Sequence, residues 1–176
     1  TKISLNGDSI SINGSGATAS GSTVTIASAG TYRINGTLSN GMIAVDTKDK
    51  AAVEIILNGI NISNSSTSPF YVKNAESTVI VLAAGTNNSI TDGNSYVFGD
   101  AESDEPNAAM FSKDAMTICG TGSLTVDGKY NDGIASKDGL TIINGKITVN
   151  AVDDGIRGKD FITVKGGTVN VIASGD

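Results

Sequence analysis

The stretch "DGIASKDGLTIINGKITVNAVDDGIRGKD", Asp132 to Asp160, carries the motif D-G-I-x-x-K-D twice, with strand-like residues between the copies. Asp154 follows Asp132 by 22 positions, and Lys159 follows Lys137 by the same interval. Gly155 answers Gly133, Ile156 answers Ile134, and the apolar sites keep step: Leu140 with Ile162, Ile142 with Val164, Ile147 with Val169, Val149 with Val171. Polar residues such as Thr141 and Thr148 alternate with these, one side chain in and one out, as in a strand buried on one face.

Each unit therefore holds two short strands, L-T-I and I-T-V-x-A, divided by a glycine turn. Neither can bury its apolar face alone, but copies stacked at a fixed period build a continuous core, which predicts a solenoid of parallel strands. A leucine-rich repeat would need an L-x-x-L-x-L-x-x-N pattern that is missing. Upstream the period lengthens. Asn107–Gly128 aligns with Asn131–Ala151 at an offset of 24, with the two extra residues placed near Gly120-Thr121-Gly122. Phe70–Gly85 reads as a degenerate copy carrying Lys73-Asn74, and Ala44–Ser63 as another.

The expectation is one all-β domain over 1–176, a parallel β-helix of about seven coils spaced ~4.8 Å apart. Residues 1–40 serve as an N-terminal cap or early coils, and 107–176 form regular coils of 22–24 residues. "TDGNSYVFGDAESDEPN" (Thr91–Asn107) breaks the pattern and reads as an inserted acidic loop over 91–107. The chain stops at Asp176, one period past Asp154, where the repeat calls for Gly and Ile, so further coils are expected beyond it.

Composition agrees and narrows function. Thr, Val, Ile, Asn and 22 Gly favour strands and turns. The net charge of −6 argues against a nucleic-acid partner. There is no His, which removes Ser-His-Asp catalysis and most zinc sites. Cys119 is the single cysteine, read as a quiet buried thiol. No apolar run reaches the length of a membrane span.

Stacked acids raise an electrostatic question. Asp132, Asp154 and Asp176 fall at equivalent positions, and two carboxylates ~4.8 Å apart repel by roughly 1 kcal/mol even in water. A proton, a Lys or Arg partner, or a metal can relieve this. Calcium takes six to eight oxygens, which Asn131, Asp132, Asp153 and Asp154 could largely supply, with Glu105 or Asn107 from the preceding turn. Hydrated, outward-splayed turn acids are the simpler alternative. Lys73, Lys113, Lys137 and Lys159 form a second column, either neutralising neighbouring acids or offering a basic stripe to an acidic polymer. Arg157 replaces Ala135 of the previous copy, so the repeat does not demand it. It could pair with a sugar carboxylate or balance the acids. Tyr96 and Tyr130 could give sugars a stacking face.

"EPNAAMFSKDAMTICGTGSLTV", "DGIASKDGLTIINGKITV" and "DDGIRGKDFITVKGGTVNV" resemble the carbohydrate-binding parallel β-helix family of secreted clostridial proteins. Gly30–Asp49 and Val53–Ser66 look like its earlier coils. The resemblance implies a right-handed solenoid, bound Ca2+, affinity for cellulose and polygalacturonate, and a structural relation to calcium-dependent pectate lyases. Carried over by motif, Asp132, Asp153 and Asp154 are the metal candidates; Ala108-Ala109 stands where later turns have Asp-Gly. The expected function is a non-catalytic, extracellular or cell-surface module for plant cell-wall polysaccharide, with Arg157, Lys137, Lys159, Tyr96 and Tyr130 toward the glycan. A polysaccharide lyase and a structural stalk or adhesin are the alternatives. The module is expected to be stabilised by bound Ca2+, so chelation should lower its melting temperature.

Overall fold

The structure is a computed structural model that describes residues 1–99 and 102–175; Asp176 lies outside them. Its strands begin with β1 (Lys2–Gly7), β2 (Ile10–Asn13), β3 (Ala17–Ser20), β4 (Thr23–Ile26), β5 (Gly30–Leu38), β6 (Met42–Asp46) and β7 (Val53–Asn64). Next come β8 (Phe70–Asn74), β9 (Thr78–Leu82), β10 (Asn87–Asp92), β11 (Ala108–Ser112), β12 (Met116–Gly120) and β13 (Ser123–Gly128). The chain continues through β14 (Asp132–Ser136), β15 (Gly139–Ile142), β16 (Lys146–Ala151), β17 (Ile156–Gly158), β18 (Phe161–Val164) and β19 (Thr168–Ala173). No helix among the described residues is long and apolar enough to cross a membrane.

All-β is the class, but the strand order corrects the expected architecture. The strands make two sheets rather than a right-handed β-helix of about seven coils. One is twelve-stranded and runs β18-β15-β12-β9-β7-β10-β13-β16-β19, with β5, β1 and β2 attached through β7. The other has seven strands, β17-β14-β11-β8-β6-β4-β3. The physical reason lies in the first half of the chain. β5 and β7 are long strands that pass through the corner unbroken. Val53–Leu57 of β7 pairs with β9 while Asn61–Asn64 pairs with β10, so both arms join one sheet curled into a half-barrel. The antiparallel pairs β1–β2 and β3–β4 also break any uniform coil. Three-strand repeats begin only at Phe70, too late for seven.

The repeat itself is stacked in register, and its drift can be followed pair by pair. Met116 pairs with Leu140, 24 positions on; Ser123 with Lys146, 23 on; Ile134 with Ile156, 22 on. Of the two extra residues expected near Gly120-Thr121-Gly122, that turn takes up one. The second goes into the turn between Gly128 and Asp132. Where the arms bend in the later repeats, glycine supplies the left-handed backbone, as at Gly145 (φ +115°) and Gly167 (φ +91°).

Inward positions are those the alternation picked out. Ile134, Leu140, Ile142, Ile147 and Val149 are fully buried, each worth about 1.5–3 kcal/mol of apolar burial. Their counterparts on the edge strands are not: Ile162 is 45% and Val164 55% exposed. Cys119 departs from expectation. It sits on the outward side of β12, only half-buried, and burial followed by the Glu54 charge raises its thiol pKa. The thiol is thus held protonated by its surroundings rather than hidden in the core.

Candidate functional site

The D-G-I turn brings Asp132 to the start of β14 and Asp154 just ahead of β17. The two corners are stitched by backbone bonds: Gly133 N donates to Asp154 O (3.0 Å) and Asp153 N to Asn131 O (3.0 Å). The glycine is required by packing. A Cβ on Gly133 would collide with Val149 Cγ1, and one on Gly155 with Val171 Cγ1, so at this corner the backbone lies directly on the core strand of its own repeat.

Asp132 is wholly buried, while Asp153 is exposed and Asp154 half-buried. Asp132 Oδ1 accepts from Asn131 Nδ2 (2.9 Å) and from Asp154 N (3.3 Å). Oδ2 has no well-formed hydrogen bond but lies 2.9 Å from Arg157 Nη2 in an ion pair. Arg157 Nη1 lies 3.9 Å from Asp154 Oδ2, and Nη2 donates to Asn107 Oδ1 at 3.5 Å. Burial pushes the Asp132 carboxyl up to about 6; the Arg157 charge and the Asp154 backbone bond pull the other way, and the neighbouring Asp154 and Asp153 charges push it up further.

These placements test the fit of a calcium ion. Two carboxylates meet at the corner, and the cation between them is the Arg157 guanidinium. Asn131 turns its Nδ2 donor, not its oxygen, toward Asp132. Among the described residues no group of three or more Asp, Glu, Cys or His side chains gathers where an ion could be held. As placed, the described residues do not fit calcium.

Glu105, the other expected ligand, faces the lysine column. It pairs with Lys137 at 2.5 Å and Lys113 at 3.6 Å. Burial alone would lift its carboxyl, but Lys137, with Lys113, holds it below the usual glutamate range. The lysines stack as the repeat requires, with Lys137 N bonding Ser112 O and Lys159 N bonding Ser136 O (both 2.9 Å). Lys137, Lys159, Arg157 and Ser136 line an open cleft of about 260 Å³. Arg157 ends a column whose other members, Thr18, Thr25, Ala44, Tyr71, Phe111 and Ala135, are uncharged.

The aromatic residues are placed differently. Tyr96 and Tyr130 stack on each other, ring centroids 4.2 Å apart and 12° from parallel, with Phe98 beside both. Tyr96 Oη donates to Asp92 Oδ2 (2.7 Å) and contacts Ala108 O (3.1 Å), tying the acidic loop to the sheets. Asp92 is the functional-looking residue that the sequence reading missed. It is a buried acid whose pKa is raised by burial despite bonds from Lys129 N, Tyr96 and Tyr130 N. Its place at an inward position of β10, in step with Ile90, was the available signal.

The chain resembles known proteins in sequence and in fold. The family model for carbohydrate-binding domain-containing proteins matches residues 20–176, and the chain belongs to that family. A carbohydrate-binding domain-containing protein of Acetivibrio thermocellus is 41% identical over 128 residues. The match takes in 73% of this chain and 45% of the relative, so the chain spans less than half of that protein's length. The solved structure of a polysaccharide lyase-like protein from C. thermocellum, a gadolinium derivative, is similar with a TM-score of 0.87 and 32% identity. That similarity covers 98% of this chain and 82% of the other.

Proposed function

We propose that this chain is a non-catalytic, extracellular polysaccharide-binding module that holds acidic cell-wall glycan on the cleft formed by Lys137, Lys159 and Arg157. The observation that carries this reading is the convergence of three cations on one open cleft in a chain whose net charge is −6. Membership of a carbohydrate-binding family supports the ligand class.

A uronate carboxylate meets the geometry that guanidinium and ammonium groups favour, and charge-assisted bonds of this kind are about twice as strong as neutral ones. Arg157 is already engaged with Asp132, so it is oriented before the glycan arrives, and less ordering is needed on binding. Lys137 is steadied by Glu105 in the same way. Lys159 is exposed, and no ion pair to it is seen among the described residues.

Binding of polygalacturonate to the wild type, weakened in Lys159→Ala and Lys137→Ala and by added salt, is the expected result. Equal binding by both variants would remove the cleft from the reading, and no retention at all would favour a structural stalk. The lyase-like neighbour motivates a second arm. Unsaturated, ultraviolet-absorbing product from polygalacturonate would make the chain an enzyme instead.

A further inference from the structure

The segment that leads into β11 lies against the cations of the cleft and takes up part of their bonding. Glu105 Oε2 is 3.6 Å from Lys113 Nζ, and its Oε1 is 2.5 Å from Lys137 Nζ. Two residues on, Asn107 Oδ1 accepts from Arg157 Nη2 at 3.5 Å. One short stretch of chain thus offers a carboxylate to two ammonium groups and a neutral oxygen to the guanidinium. An acidic sugar would offer the same two kinds of group. In the lysine column, Lys113 N bonds Val72 O, Lys137 N bonds Ser112 O and Lys159 N bonds Ser136 O, so successive lysines stand one rung apart. Lys73, the first of them, lies 5.6 Å from the centroid of the Tyr71 ring. Among the described residues, Lys159 alone of the four has neither an ion pair nor a ring contact.

This segment is pinned. Pro106 is buried, Asn107 O accepts from Asp132 N (3.2 Å), and Ser103 Oγ donates to Glu105 O (3.1 Å). The Glu105 side chain is 21% exposed, against 45% for Lys113 and 40% for Lys137, so the acid is the most sheltered of the three. Burial works against its charge, but Lys137 and then Lys113 hold the carboxyl below the usual glutamate range, and it is an anion at neutral pH. Its contact has two opposed effects on an arriving polyanion. It orients Lys137, which lowers the ordering needed for that one side chain. It also fixes a negative charge at the ammonium, and that charge repels every ligand carboxylate within the ~8 Å screening length at physiological salt. A polymer with one carboxylate per sugar brings several into that range, so occupancy outweighs orientation.

Resting on the reading of the cleft as a site for acidic glycan, we infer that Glu105 is a built-in competitor: its carboxylate occupies Lys113 and Lys137 in the free protein and gives them up to ligand carboxylates when a polyuronate binds. The exchange lengthens the site. With Glu105 displaced, Lys113 joins Lys137 and Lys159 on three consecutive rungs, a run of about 10 Å at the ~4.8 Å strand spacing. The exchange also sets a selectivity. A lone uronate has one carboxylate to set against an acid anchored by two lysines. A run of uronates carries several on one chain, and once the first is held at Lys159 and Arg157 the next meets Lys137 as an intramolecular contact. Sparsely charged glycans are held at Lys159 and Arg157 alone, whereas a continuous polyuronate opens the rest of the column.

The test is calorimetric titration of the wild type and Glu105→Gln with polygalacturonate at low and physiological salt. Glutamine keeps the size and a side-chain oxygen and removes the charge. Glu105→Gln is expected to bind about tenfold tighter, the scale of one charge-assisted hydrogen bond regained, and the gain should shrink as salt is added. Adding Lys113→Ala to Glu105→Gln should take back part of it. A wild type that binds while Glu105→Gln binds no tighter overturns the competitor and leaves the cleft reading standing, since Glu105 then only orients Lys137. Binding seen in Glu105→Gln alone supports both. If neither protein binds, the cleft reading fails and the inference with it. A measurement on the wild type covers the case in which Glu105→Gln folds poorly. Saturating polygalacturonate should move the carboxyl 13C resonance of Glu105 toward that of an unpaired glutamate, and an unmoved resonance overturns the exchange.

Discussion

Arg157 Nη2 stands 2.9 Å from the Oδ2 of Asp132, a carboxylate with no solvent exposure, while the arginine side chain itself is 39% exposed. One partner is thus deep and the other half in water. Truncating Arg157 to Ala leaves a buried charge uncompensated. The expected loss is about 2 kcal/mol, between the ~0–1 of surface pairs and the ~3–5 of fully buried ones. Denaturant melts check this, and adding Asp132→Asn to Arg157→Ala should recover part of the loss. An Arg157→Ala protein as stable as the wild type would show that the pair carries little.

The acid at this corner also sets a pH dependence. The folded protein raises the Asp132 pKa from 3.8 to about 6, so the native state holds that proton more tightly than the unfolded chain does. Its contribution favours folding below about pH 4 and is lost as pH rises through about 6. Asp132→Asn cannot titrate there. The melting temperature of the wild type relative to this variant should therefore fall between about pH 4 and pH 6. A constant difference across that window would contradict the shift.

Calcium gives a third test. Arg157 already stands between Asp132 and Asp154, and no three acids gather round an ion site among the described residues, so the melting curve is expected to be the same in EDTA as in excess calcium. A clear drop in EDTA would show that the ion is held by an arrangement other than the one described.

Gly133 offers a fourth. Its missing side chain makes room for Val149, so Gly133→Ala must push a core strand outward, at a cost of about 1–3 kcal/mol. Because φ at Gly133 is not in the left-handed region, backbone strain does not contribute. If Gly133→Ala matched the wild type in thermal melts, close approach would not be the reason for the repeated D-G-I.

How much was readable beforehand depends on the interaction involved. The pairing of Leu140 with Ile162 and of Val149 with Val171 follows from period and alternation, because a one-residue slip would turn each core residue outward. The membership of both arms in one sheet was not readable. It depends on β7 running unbroken through Asn58-Gly59, where a glycine suggests a turn. In the site, the nearness of Arg157 to Asp132 was legible from the repeat. The pairing of Glu105 with Lys113 and Lys137 was not, since a loop of irregular sequence carries no period to place its acids. The Tyr96–Tyr130 stack has the same origin.

The unbroken passage of β7 has an effect on inheritance of alignment. Its first half sets the phase of β9, and through it β12, β15 and β18; its second half sets the phase of β10, β13, β16 and β19. Both series copy one template. A shift of that single segment would propagate to every rung on either side, exchanging Thr125 and Val126 as surely as Thr117 and Ile118. Variation is therefore cheap at the distal rungs and dear at Val53–Asn64, where one misalignment is written into the whole molecule.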